Sequence, residues 1–254
     1  MAYTSRPTPA RQVFRVSAYT YAPHNIKHTA SDYVHAIKRA CKKGGFTDLL
    51  WHHFNSNEPP LELGIEHQVA VVRLTALPGA DLVPATSDPP LCFKRRTEPM
   101  DVQTFRLVFG TWMSKPALMR RTLHEQPSAR NATHIAWVDV PTSLLLQRKR
   151  LSTLARDDVI LMERYTAPML EDSYPHHCGR WVYAGQRGHN ITIRARTLIV
   201  PTLLVDWFAE TFRAMALALR ATGRVYDEET VLSELAAHHP ERVATFRPAP
   251  MQYR

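Results

Sequence analysis

The chain has 254 residues, 44% of them hydrophobic and 22% charged, and its 32 Lys and Arg against 23 Asp and Glu give a formal charge of +9. That length buries a sizeable core without covalent staples, and three cysteines (Cys41, Cys92 and Cys178) are too few for a disulfide scaffold. Nine glycines against 19 prolines leave no Walker-type phosphate loop, no Gly-x-Gly-x-x-Gly and no Gly-x-Ser-x-Gly elbow.

Residues 1–12 read as a tail without the apolar run of a signal peptide. Val13–Tyr21, rich in β-branched and aromatic residues, predicts a first strand. Ser31 and Asp32 then open a helix in which Val34, Ile37 and Cys41 recur at helical spacing, and Gly44-Gly45 stops it. Its other face carries His35, Lys38, Arg39, Lys42 and Lys43. Residues 46–68 read as a loop region with a short apolar piece, Val69–Leu77 as a strand, and Phe105–Phe109 as a further strand beyond a proline-rich connection. From Pro116 to about Tyr165 the pattern is helical and basic, which suggests an inserted helical subdomain. Arg180–Tyr183 and Asn190–Val200 flank Gly185-Gln-Arg-Gly188 as a hairpin, with Arg194 and Arg196 on one sheet face. Pro201 opens a helix that runs to Gly223, and Asp227–His239 forms the last one, ending at Pro240. The longest greasy stretch is far short of the about 20 apolar residues of a membrane span, and cysteine usage suits a reducing, cytoplasmic setting.

The charge is unevenly distributed. Residues 1–60 carry 8 basic and 3 acidic side chains and residues 101–165 carry 10 and 6, whereas residues 166–254 carry 10 and 9. The basic side chains are 25 Arg and only 7 Lys. Arginine's planar fork grips phosphate in a bidentate way, which favours a nucleic-acid partner, although a GC-rich genome produces the same bias. The candidate phosphate-tracking groups are Arg15, Lys38, Lys42, Lys43, Arg120, Arg121, Arg148, Lys149, Arg150, Arg156, Arg194 and Arg196. His28 and His35 stand beside the basic helix, where a histidine moves protons at neutral pH. The alternative is a solvated basic face whose histidines do nothing. Among 13 histidines, His176, Cys178 and His189 make the best metal trio, but their spacing is poor. No metal or other cofactor is expected.

A strand followed at once by a basic helix, further strands, a basic hairpin and a helical insertion resemble the CRISPR RNA-processing endoribonucleases, and specifically their type IV version. The resemblance lies in Phe14–Tyr21, Asp32–Lys43, Leu144–Arg156 and Arg180–Val200, by architecture and charge. It implies an α+β fold of ferredoxin-like, RRM-like modules: a core over 13–110, the basic helical insertion over 111–165, and a second α+β part over 166–254. It also implies metal-independent cleavage of repeat transcripts by 2′-hydroxyl attack, in antiviral defence, with Arg39 and Arg242 holding the scissile phosphate if no histidine acts. The expected partners are a stem-loop repeat or guide RNA and other subunits of a ribonucleoprotein, with no membrane. The alternatives are a non-catalytic nucleic-acid-binding subunit of a CRISPR, plasmid replication or transfer complex, and a protein-interaction module.

Overall fold

The computed structural model describes residues 11–22, 29–42, 48–54, 63–66, 68–83, 101–139, 148–164, 193–221 and 227–247, with backbone alone for 30 and 148–150. The first strand, β1 (Val13–Thr20), is buried on both faces, as its near-continuous apolar and aromatic run requires. It leads into α1 (Ala30–Lys42). There Thr29 and Asp32 cap reciprocally: the Thr29 N–H donates to Asp32 Oδ2 at 2.8 Å, and the Asp32 N–H to Thr29 Oγ1 at 3.1 Å. Thr29, not Ser31, is therefore the capping residue.

Two short strands follow, β2 (Leu49–His53) and β3 (Ala70–Leu74). β2 lies inside the stretch read as loop. Its five residues are all buried, and a run that short shows no period from which to tell strand from loop. The helix α2 (Val102–Met113) replaces the strand expected over 105–109. Asp101 caps it by accepting from the Thr104 N–H at 2.8 Å, and Phe105, Val108 and Phe109 form its inner stripe. Next come α3 (Lys115–Glu125), a single turn α4 (Pro127–Arg130) and a fully buried β4 (His134–Val138). They are followed by α5 (Arg148–Leu154), β5 (Ile160–Arg164) and β6 (Ile193–Pro201). The chain closes with α6 (Val205–Ala221), α7 (Glu228–His238) and β7 (Val243–Phe246).

Among the described residues the strands form one seven-stranded sheet, ordered β3-β2-β1-β4-β6-β5-β7. β1, β2, β3 and β4 are mutually parallel, β6 runs against both β4 and β5, and β7 is parallel to β5. This corrects the expected fold class. A ferredoxin-like module is a β-α-β-β-α-β unit and an RRM carries four strands, whereas this sheet has seven strands and a parallel centre. The inserted helical subdomain is corrected too, because β4 and β5 from that stretch are integral strands of the sheet.

Helices cover both faces. Phe14 and Val16 of β1, with Ile135 and Trp137 of β4, pack on Phe105, Phe109, Leu118, Met119, Phe208 and Phe212 from α2, α3 and α6. On the opposite face Tyr19 and Leu50 meet Ile37 and Ala40 of α1, while Val13, Ala136 and Ile199 meet Leu151 of α5 and Ala155 just after it.

Candidate functional site

The sheet reverses direction between β1 and β4. From β1 the chain steps outward to β2 and β3 on one side, and β4 opens the other. In open α/β sheets this reversal leaves a crevice at the carboxyl ends of the two strands, where ligands bind. At that edge lie Thr20, His53 and Asp139 at strand ends, and the start of β6, because β6 runs the other way.

Asp139 directly follows β4. Its Oδ1 accepts from Trp137 Nε1 at 2.7 Å and its Oδ2 from Lys115 Nζ at 3.1 Å, while its backbone N–H donates to the Arg196 carbonyl at 2.9 Å. Lys115, at the start of α3, is only 1% exposed. Its ammonium also donates to the Ala195 carbonyl at 2.8 Å and to Glu228 Oε1 at 3.0 Å, so all three N–H bonds are used. Burial disfavours the charged ammonium, but Asp139 and Glu228 outweigh it and hold the Lys115 pKa above its ordinary value. Burial pushes the Glu228 carboxyl up from the usual carboxylate range, against the pull of Lys115. The Asp139 side chain keeps 28% of its surface exposed, which makes it the face of this cluster open to a ligand.

β6 extends past the last β4 pair, Val138↔Thr197, and its backbone there needs other partners. The first turns of α7 supply them: Ile193 N–H donates to Ser233 Oγ at 3.0 Å and Ala195 N–H to Glu229 Oε1 at 3.2 Å. On the opposite face of β6, Arg196 Nε donates to the buried Glu163 at 3.1 Å, and Arg194 lies 4.0 Å from the same carboxylate. The period-2 expectation for these arginines fits this shared face. Across the crevice the Thr20 and Thr111 hydroxyls are 2.5 Å apart. Thr111 donates to the Leu107 carbonyl at 2.7 Å, so the Thr20 hydroxyl is the donor between them.

Beside it, the buried Tyr19 ring lies 5.3 Å from Tyr33 and 5.4 Å from His52. Burial, helped by Arg73 and His53, pushes the His52 pKa down to about 4, and burial lowers that of His53 as well. Both imidazoles are therefore neutral at pH 7.

The other residues singled out from sequence are dispersed. His35 is exposed on α1, its Nδ1 2.8 Å from the Ser31 carbonyl. Lys38, Arg39 and Lys42 are exposed on the same helix. Arg242 precedes β7 at the far, amino edge of the sheet and stacks 4.6 Å from Trp207. Arg15 is buried on β1 with Asp48, 3.3 Å away. Arg120 pairs with Asp206 and Glu210, and Arg121 with Glu125 while lying 4.8 Å over Trp51. Arg156 is exposed after α5, and its carbonyl is 2.7 Å from His134 Nε2. Arg148, Lys149 and Arg150 fall within α5. His28 and Lys43, the trio His176, Cys178 and His189, and the first arm of the expected hairpin lie outside the described residues.

Sequence reasoning passed over Lys115, Asp139 and Glu228. A signal existed for one of them: the run His134-Ile-Ala-Trp-Val is a short buried strand that ends on a carboxylate. Nothing local marks Lys115 or Glu228, which meet Asp139 only in the fold. Among the described residues no three His, Cys, Asp or Glu side chains are grouped so as to hold a metal ion, and both Asp139 oxygens already accept. No described helix is long and apolar enough to cross a membrane.

No protein-family model and no curated protein sequence matches the chain. Three solved structures show a distant likeness, each with a TM-score under 0.5. One is a glycosyltransferase involved in the glycosylation of the major capsid of PBCV-1, with a TM-score of 0.43 and 11% identity, covering 93% of this chain and 82% of that one. Another is a Mycobacterium tuberculosis H37Rv protein in complex with manganese, with a TM-score of 0.41 and 11% identity over 94% and 90% of the two chains. A third is the 4-diphosphocytidyl-2C-methyl-D-erythritol synthase of Anaerococcus prevotii DSM 20548, with a TM-score of 0.41 and 11% identity over 93% and 88%. The resemblance to CRISPR RNA-processing endoribonucleases does not hold. It depended on an RRM-like core, and the parallel-centred seven-stranded sheet takes that basis away from RNA cleavage and from the nucleic-acid-binding alternative alike.

Proposed function

We propose that the chain is a group-transfer enzyme that binds a nucleotide-linked donor in the crevice between β1 and β4. The observation that carries this reading is the reversal of strand order at β1/β4 with the part-exposed Asp139 at its mouth. A donor of this class places a diphosphate at the carboxyl edge, and Arg194 and Arg196 lie at that same edge around a single Glu163. Arginine suits a diphosphate leaving group because its fork meets two oxygens at once. Asp139, fixed by Trp137 and Lys115, is placed to orient the acceptor hydroxyl, whose oxygen bonds to the transferred carbon as the diphosphate departs with the electron pair. The bond from that carbon to the diphosphate oxygen breaks, and the acceptor's proton passes to solvent water.

Titration calorimetry with UDP, GDP, CDP and ADP on the whole chain tests this reading. At least one should bind with a Kd below about 1 mM, and Arg196→Met should weaken it by about ten-fold, the loss of one charge-assisted bond. Failure of all four to bind at millimolar concentration would overturn the proposal.

A further inference from the structure

We propose that Lys115 is a built-in counter-ion occupying the place a divalent cation would need beside Asp139, so that this edge of the sheet takes its ligand without one. The role of the edge as a ligand crevice rests on the reading above; the part played by Lys115 is tested separately from it. The ammonium sits in an oxygen cage drawn from three elements: Asp139 Oδ2 at 3.1 Å after β4, the Ala195 carbonyl at 2.8 Å in β6, and Glu228 Oε1 at 3.0 Å in α7. Two carboxylates and a carbonyl are the donor set of a hard cation. Here the cation is a side chain, 1% exposed and covalently tethered to α3.

A magnesium or manganese ion binds through one or two carboxylates and substrate phosphates, at about 2.1 Å from each oxygen. Brought to Asp139 it would stand against the Lys115 ammonium, with Asp139 Oδ1 already held by the Trp137 indole at 2.7 Å. The chain continues Val140-Pro141, so no second carboxylate follows within two residues. Lys115 is thus a positioning residue. It fixes Asp139 at the mouth of the crevice and neutralises charge that an ion would otherwise neutralise.

The test measures Mn²⁺ uptake by the loss of its free electron-paramagnetic signal, using wild-type protein, Asp139→Asn, Lys115→Ala and the double variant. Wild type should take up no Mn²⁺ that Asp139→Asn abolishes, at concentrations up to about 1 mM. Lys115→Ala frees the cage and should bind Mn²⁺ at least ten-fold more tightly than wild type, with the gain removed in the double variant. Its melting temperature should drop by about 10 °C, as expected when a buried charge loses its partner. Added propylammonium should recover part of that loss. Sub-millimolar Mn²⁺ binding by wild type that Asp139→Asn removes would overturn the proposal, and that arm needs no Lys115 variant to fold. If a nucleoside diphosphate binds, EDTA should change its Kd by less than two-fold, and a ten-fold loss would count against Lys115. Failure of every nucleotide to bind would remove the nucleotide reading, while the manganese arm would still decide the part of Lys115.

Discussion

Gly79 shows how one residue can fix the relation between two elements. A Cβ placed there would lie 2.5 Å from the Met113 carbonyl carbon and 2.6 Å from the Ser114 nitrogen, both backbone atoms at the joint between α2 and α3. The Gly79 N–H also donates to Ser114 Oγ at 2.8 Å. Glycine is required by this close approach, since its φ of −96° is open to any residue. Lys115 follows directly, so a shift of this joint moves the ammonium that holds Asp139. Gly79→Ala should cost about 3 kcal/mol, measured by urea denaturation, because backbone cannot yield as a side chain tip can. A cost under about 0.5 kcal/mol would mean that the joint slides freely.

At the level of elements, the sequence disclosed most where periodicity was long. α1, with its apolar stripe through Val34, Ile37 and Cys41, and the helices α6 and α7 lie within a few residues of their expected bounds. The expected strands over 13–21 and 190–200 overlap β1 and β6. The short strands β2, β4, β5 and β7 escaped, since four or five residues hold too few repeats to show a period. Phe105–Phe109 misled for a related reason: aromatic and β-branched residues favour strands, but their spacing over the longer window 102–113 belongs to a helix. Of the site, Arg194 and Arg196 were visible through alternation. The Lys115–Asp139–Glu228 cluster was not, because its members meet only through the topology.

The caps make a sharper prediction at this scale. Asp227 Oδ1 accepts from both the N–H and the hydroxyl of Thr230 at 2.9 Å, and these atoms are buried. Asp227→Ala should destabilise the protein by about 1–2 kcal/mol in chemical denaturation. It should also loosen the first turn of α7, seen as faster amide exchange at Thr230 and Val231. Unchanged exchange there would show that packing alone holds the turn.

For the whole molecule, pH is the most informative variable. Burial lowers the pKa of His52, His53 and His134, from β2 and β4, so the folded state prefers each of them neutral. A group depressed in the fold gives stability that is present above its unfolded pKa and lost as pH falls through the folded value. The urea midpoint should therefore drop between about pH 6.5 and pH 4, with His52 alone contributing on the order of 3 kcal/mol. Glu228 works in the opposite sense. Its raised pKa makes the fold lose stability as pH climbs above the ordinary carboxylate range. His52→Phe should flatten the acid limb, and an unchanged slope would show that the charge of His52 is met by water on protonation.

The antiparallel course of β6 also has a bearing on biosynthesis. The cage around Lys115 draws on Asp139, Ala195 and Glu228, and Glu228 is 113 residues further along the chain. At roughly 5–20 residues per second, a ribosome needs about 6–23 s to supply that carboxylate after Lys115. During that interval a nascent chain can shape β1 to β4 but cannot enclose the ammonium. The site is therefore among the last parts to close, and a chain truncated before α7 would leave the ammonium unenclosed and short of one partner, an early mark for proteolysis.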